Sequence, residues 1–233
     1  FRGVGRLKYS LTWLLDRLTA HMTYAWISNS RCIGENNARK LGLSMKNIHV
    51  VYRGRDSQSF QCWVKPSISI FRFVCIGRLY EKKGYPELLE AFADVHKAYP
   101  DTELEIYGEG SYRGEMEKRI ASLQMSSHIH LKGNVPGAWK KLYESNCFVF
   151  PSRFEGFSGA LVEAMMTGIP IISSNIPMNM EAVQHQKTAL VHQLKNADDL
   201  ANKMKTMVKD YSDMVEMGKR AREESFSRFD IRV

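Results

Sequence analysis

A doubly wound, parallel α/β sheet is the fold class that this sequence predicts, on three observations. Short apolar runs alternate with amphipathic stretches from residue 71 onward. Glycines stand at the ends of several apolar runs, at Gly77, Gly108 and Gly133. The composition is 44% hydrophobic and 25% charged, which is that of an ordinary globular protein. The 233 residues are enough for one large or two small domains. No run reaches the ~18 uninterrupted apolar residues of a membrane span. The chain begins at Phe1 rather than Met and shows no signal peptide, as expected of a piece of a longer protein.

The first elements read as follows. Residues 6–27 suggest a helix, because Leu7, Leu11, Leu14, Leu15, Leu18, Met22 and Trp26 recur at helical spacing. A basic helix with Trp can lie on a membrane surface, but the expectation is a stripe facing a core. Residues 25–30 look like a strand ending in small polar residues. A helix through Asn37 to Leu41 then stops at Gly42, and residues 48–52 form another strand, closed by Arg53-Gly54-Arg55-Asp56. Residues 57–69, polar and with Pro66, read as an interdomain linker. The expected division is 1–60 and 61–233.

The regular alternation follows. Strand-like runs are 71–77, 103–108, 128–133, 147–151, 170–174 and 188–191. Helical stretches between them are 85–99, 112–123, 138–144, 158–167 and 178–183, and helices 198–208 and 211–225 close the domain. Ligands of such sheets bind beyond the carboxyl ends of the strands.

The net charge of +8 suits an anionic partner. No Lys/Arg tract or basic-aromatic array is present, so nucleic acid is not expected. Cys32, Cys62, Cys75 and Cys147 form no CxxC pair, and they read as buried free thiols in a reducing compartment. His128 and His130 alternate without further ligands at metal spacing, so they read as strand histidines. Gly108-Glu109-Gly110 is not a dinucleotide fingerprint, because the next glycine is Gly114.

Two places carry chemistry. Between Phe150 and Ile169 lies a loop and then a helix, with Ser158 as its N-cap and Gly168 just past its end. A strand, a Gly-containing loop and a helix N-terminus form an anion site. Glu155 lies before that helix. Glu163 lies inside it, roughly 7 Å along the axis from Ser158 at ~1.5 Å per residue. Both carboxylates repel a phosphate but accept hydrogen bonds from hydroxyls on either side of one. Hydroxyls, phosphate and hydroxyls in that order describe a nucleotide-sugar. The second place is Gly77-Arg78-Leu79-Tyr80-Glu81-Lys82-Lys83-Gly84. Cations in this loop can hold a diphosphate and offset the charge that develops as it leaves.

The stretch Glu155-Gly-Phe-Ser-Gly-Ala-Leu-Val-Glu163 resembles the E-x7-E motif of the large retaining glycosyltransferase family, glycosyl transferases group 1. The Gly77–Gly84 loop resembles that family's Gly-Arg-Leu…Glu-Lys-Gly signature, and Lys83, immediately before Gly84, matches its lysine better than the register competitor Lys82. Gly133-Asn134-Val135 resembles the segment whose backbone reads the base edge. The turn Arg53-Gly54-Arg55-Asp56 departs from the family's Asn-Gly-Val-Asp, so no function passes to Arg53 or Arg55. The resemblance implies a Rossmann-like sheet that is one half of a GT-B fold. Residues 1–60 would be the tail of the acceptor domain with the linker, and 61–233 the donor domain.

The implied donor is a UDP- or GDP-sugar, with no cofactor and no metal. It would be held by Gly77, Arg78, Lys83, Asn134, Val135, Glu155, Gly156, Phe157, Ser158, Gly159 and Glu163. Catalysis would rest on Arg78, Lys83 and Glu155, with Glu155 holding sugar hydroxyls and Glu163 the ribose. The acceptor would be a glycan or a lipid-linked one, in surface polysaccharide or glycoconjugate synthesis. The setting would be cytoplasmic, with any peripheral contact to the inner membrane face falling to the other half of the fold. Two competing readings stand beside this one: a GT-B enzyme that is not a transferase, such as a nucleotide-sugar epimerase, and a non-catalytic nucleotide-sugar-binding module.

Overall fold

The computed structural model describes residues 6–232. The chain forms two compact units, Phe1–Arg53 and Gly54–Val233.

In the first unit, helix α1 spans Arg6–Ala20, strand β1 Trp26–Ser28, helix α2 Arg31–Leu41 and strand β2 Ile48–Val50. The two strands pair in parallel. Ser30 caps α2 by accepting from the Ile33 N–H at 3.1 Å. Gly42 ends the helix in the left-handed conformation, at φ 72°. Helix α1 stops at Ala20 rather than reaching 27, and residues 26–28 go to the strand. The helical stripe does not become a core face either. Leu11, Leu14, Leu15 and Leu18 are exposed, and Met22 is 85% exposed. Apolar spacing records an amphipathic helix but not what covers it. Residues 1–5, and the side chain of Leu7, lie outside the described part.

The second unit is a six-stranded sheet in the order β5-β4-β3-β6-β7-β8, parallel at every pairing. Its strands are β3 (Phe71–Ile76), β4 (Thr102–Tyr107), β5 (Ile129–Gly133), β6 (Cys147–Phe150), β7 (Ile171–Ser174) and β8 (Leu190–His192). Its helices are α3 (Tyr85–Ala98), α4 (Arg113–Ser122), α5 (Gly159–Thr167), α6 (Pro177–Met180), α7 (Ala197–Lys209) and α8 (Tyr211–Phe229). The stretch 138–144, expected to be an α-helix, is a 3₁₀ segment. Helix α8 continues to Phe229, beyond the expected 225. This is a Rossmann-like doubly wound sheet.

Burial explains the sequence pattern. β6 and β7 are buried at every position, which is why they read as continuous apolar runs rather than alternations. Phe73 and Phe92 meet edge-to-face at 6.3 Å in the core, and each such buried side chain contributes roughly 1.5–3 kcal/mol. Methionines fill one layer. Met204 and Met207 of α7 pack with Met214 and Met217 of α8 in the same cluster.

Residues 57–69, read as a linker, lie strapped along this unit. Phe60 and Trp63 are buried. The Trp63 indole donates to the Ser145 carbonyl at 2.9 Å, and the Arg222 guanidinium donates to the Phe60 carbonyl at 2.9 Å.

The strand order places the site. From β3 the chain winds outward through β4 to β5, then returns to β6 beside β3 and winds the other way. The reversal opens a crevice at the carboxyl ends of β3 and β6.

Candidate functional site

Three loops meet at those strand ends, and glycines let them touch. Gly84 follows the β3 loop with φ 75°, and a Cβ there would stand 2.1 Å from the Pro151 carbonyl oxygen, just past β6. Gly108 follows β4 with φ 145°, and a Cβ there would stand 1.9 Å from the Gly77 carbonyl oxygen. Only a residue without a Cβ allows these approaches. Backbone hydrogen bonds tie the same loops. Leu79 N–H donates to the Glu109 carbonyl, and Arg153 N–H donates to that of Lys82, each at 2.9 Å.

This scaffold aims the charged groups. Lys83 Nζ lies 2.5 Å from Glu155 Oε1, and the two side chains are only 14% and 12% exposed. Lys82, the alternative cation, is exposed and lies 5.9 Å from the Phe154 ring. Arg78 is exposed, its guanidinium 5.3 Å from the Tyr80 ring. Glu163, in the second turn of α5, pairs with Arg55, whose Nε donates to Oε1 at 2.8 Å. Arg153 donates to Glu87 at 2.6 Å and so fastens the β6 loop to α3. Sequence reasoning reaches neither arginine, because each meets a partner far away in the chain: Arg55 and Glu163 are 108 positions apart.

The start of α5 is formed as its sequence suggests. Ser158 Oγ accepts from the Leu161 N–H at 3.3 Å. Phe157 is buried, its ring 5.4 Å from that of Phe229. Gly156 is partly exposed, while Gly159 is buried in the first turn. The leading amides of this nine-residue helix have no acceptor inside the helix, and Ser158 Oγ satisfies one of them.

Gly77, Arg78, Asn134 and Val135 come together as walls of one cleft of about 480 Å³, with Ile76, Tyr107, Gly108, Glu109 and Ala138. Below it the groups are neutral. Burial pushes the Cys75 thiol up to about 12, with the Lys83 charge opposing. Burial likewise raises Tyr85, whose hydroxyl donates to the Gly77 carbonyl at 2.9 Å. The histidines diverge: the His128 ring lies against that of His96 at 3.9 Å, and His130 faces Glu103. No helix among the described residues is long and apolar enough to cross a membrane.

A reversing parallel sheet whose switch point carries part-buried ion pairs, a capped helix start and a cleft has the features of a ligand-binding α/β domain. Residues 70–224 match the family model for glycosyl transferases group 1, and the chain belongs to that family. It is 36% identical over 105 residues to an uncharacterized glycosyltransferase of Methanocaldococcus jannaschii, covering 45% of this chain and 26% of the relative. It is 28% identical over 159 residues to the GDP-mannose-dependent alpha-(1-6)-phosphatidylinositol monomannoside mannosyltransferase of Mycobacterium tuberculosis, covering 64% and 41%. Among solved structures, Anabaena HepE in complex with UDP and glucose aligns with TM-score 0.85 at 19% identity, covering 97% of this chain and 64% of HepE. A TarM variant from S. aureus, in complex with UDP among other ligands, aligns with TM-score 0.83 at 21% identity, covering 95% and 44%. The chain thus spans between about a quarter and two fifths of the length of these two sequence relatives.

Proposed function

We propose that this chain carries the donor-binding half of a retaining glycosyltransferase that uses a nucleotide-diphosphate sugar. The supporting observation is the convergence at the β3–β6 switch point of the Lys83–Glu155 pair and the capped start of α5. Relatives that use GDP-mannose and structural neighbours holding UDP support the donor class. Residues 61–233 are assigned the donor domain, and 1–60 the tail of the acceptor domain with its strap.

The assigned roles follow from charge. Arg78, Lys83 and the α5 amides after Phe157 receive the diphosphate. Asn134 and Val135, in the wall of the cleft beside Gly77, receive the base. Glu163 accepts from the ribose hydroxyls and Glu155 from the sugar. The bond from the anomeric carbon to the diphosphate oxygen breaks, and the bond to the acceptor oxygen forms on the same face. The leaving diphosphate oxygen takes the acceptor's proton. No protein nucleophile takes part, and the cations stabilise charge that appears only as the bond breaks.

The acceptor is a glycan or a lipid-linked one, in surface polysaccharide or glycoconjugate synthesis. Cys75 and Cys147 are buried free thiols and Cys62, expected to be buried, is an exposed one; these three support a reducing, cytoplasmic setting. A thermal-shift screen of UDP, GDP, ADP and their sugars tests the donor assignment, since a ligand that binds only the native state raises Tm. One nucleoside diphosphate and its sugar should stabilise the chain, while the bare nucleoside has little effect. If none of the diphosphates shifts Tm, the proposal fails.

A further inference from the structure

Arg55 occupies a position from which the sequence transfers no role, yet it is the residue that meets Glu163. Its Nε donates to Glu163 Oε1 at 2.8 Å, with side chains 24% and 17% exposed. Glu163 Oε2 accepts no hydrogen bond from the described residues. Arg55 is held through both its side chain and its backbone. Nη1 donates to the Gly54 carbonyl at 3.0 Å. The Arg55 N–H donates to the Phe229 carbonyl at 2.9 Å, and its own carbonyl accepts from the Ile231 N–H at 3.1 Å. Residues 229–231 thus clamp Arg55 as a short parallel bridge, Arg55 to Asp230. The clamp is packed closely: a Cβ on Gly54 would meet Ile231 Cγ2 at 2.9 Å and the Phe229 carbonyl oxygen at 3.0 Å. Phe229 also reaches the loop before α5 through Phe157.

We propose that Arg55 is a positioning residue for the donor's ribose. It fixes the Glu163 carboxylate through Oε1 and leaves Oε2 aimed for the hydroxyl pair. This inference rests on the assignment of the ribose to Glu163. The physical case has two parts. A glutamate side chain has three rotatable torsions, and an arginine whose backbone is held by two hydrogen bonds and whose guanidinium is held by a third removes that freedom before the ligand arrives. The site also receives a polyanion, so an unaccompanied carboxylate beside it would repel the diphosphate. Arg55 offsets that charge at the point of contact. The C-terminal residues 229–231 therefore serve the nucleotide site through Arg55.

The test compares UDP and GDP with their 2′,3′-dideoxy counterparts, titrated calorimetrically into the chain. For whichever nucleotide binds more tightly, the ribose form should be favoured over the dideoxy form by more than about tenfold, the scale of hydrogen bonds to a charged group. Arg55→Met should reduce that ratio by about fivefold or more while the dideoxy affinity moves by less than about twofold. A merely structural role would weaken both ligands equally and leave the ratio unchanged. Arg55→Gln, which keeps a neutral donor, carries the same expectation should Arg55→Met not fold. An unchanged ratio, or tighter binding of the ribose form, overturns the inference, the latter because Arg55 would then compete with ribose for Glu163. Glu163→Gln separates the two levels. If it leaves the ratio intact, the ribose assignment itself fails. If it abolishes the ratio and the Arg55 variants do not, only the Arg55 inference fails.

Discussion

The Lys83–Glu155 pair makes the sharpest test of the site, because its two members should respond oppositely to the same ligand. The pair is nearly buried and its contact is 2.5 Å. At an effective dielectric of about 20, unit charges 4 Å apart attract by about 4 kcal/mol. Desolvation of both ions offsets most of that, so the intact pair adds little net stability. Removing one partner is different, because the other is left buried and uncompensated, at a cost of about 3–5 kcal/mol in a fully buried case.

Glu155→Gln retains an acceptor for one Lys83 N–H, so we expect a loss of about 2 kcal/mol. Lys83→Met strands a carboxylate, so we expect about 3 kcal/mol. The double variant should lose well under the sum, leaving a coupling of about 1.5–3 kcal/mol in a urea-denaturation cycle. Binding then divides the two. Lys83→Met should weaken nucleoside diphosphate by about 1.5–3 kcal/mol. Glu155→Gln frees Lys83 from its competitor, so diphosphate affinity should hold or rise slightly while the rate of sugar transfer falls. Additive stability losses would refute the coupling. Equal loss of diphosphate affinity in both variants would refute the division of roles.

Five further outcomes are expected. Arg78→Ala should weaken nucleoside diphosphate by about 1.5–3 kcal/mol and leave the bare nucleoside nearly unaffected, as titration of both ligands would reveal. Transfer by the full-length protein should persist in excess EDTA, since Arg78, Lys83 and the α5 amides are assigned the leaving charge; loss restored by Mn²⁺ or Mg²⁺ would count against this. Gly84→Ala and Gly108→Ala should each destabilise by about 3 kcal/mol or more, measured as a drop in Tm, because the added methyl enters a carbonyl oxygen at a positive φ. Cys75, raised from 9.0 to about 12, and Cys147, also raised by burial, stay protonated in the fold while the unfolded chain ionises above pH about 9. Their contribution is therefore complete below that pH and is lost as pH rises, at up to ~1.4 kcal/mol per pH unit for each thiol. In native protein, the exposed Cys62 should react with a thiol reagent, and Cys75 and Cys147 only after unfolding.

Much of this molecule is legible from neighbours in the chain. Ser158 and Ser30 cap helices, and Gly42 and Gly168 end them, because caps depend on groups within a few residues. The parallel sheet follows from apolar runs too continuous for one-sided burial. The Gly77–Gly84 loop and the Glu155–Glu163 spacing are local patterns too, and the structure brings Lys83 to Glu155 from 72 positions away.

What the tertiary structure alone decided involves partners that leave no periodic imprint. Spacing shows that α1 has an apolar stripe, but exposure of that stripe depends on what packs there. Polarity and Pro66 make 57–69 look free, yet two buried aromatics, Phe60 and Trp63, hold it to the sheet unit. Gly108 is a visible strand-end glycine, but its need for no side chain comes from the Gly77 carbonyl just past the adjacent strand. Arg55 is the clearest case. In sequence it is a departure from a turn pattern, and only the return of α8 and residues 229–231 past that turn brings its guanidinium to Glu163. Side chains 108 residues apart meet through the winding of the sheet, and no local periodicity encodes that distance.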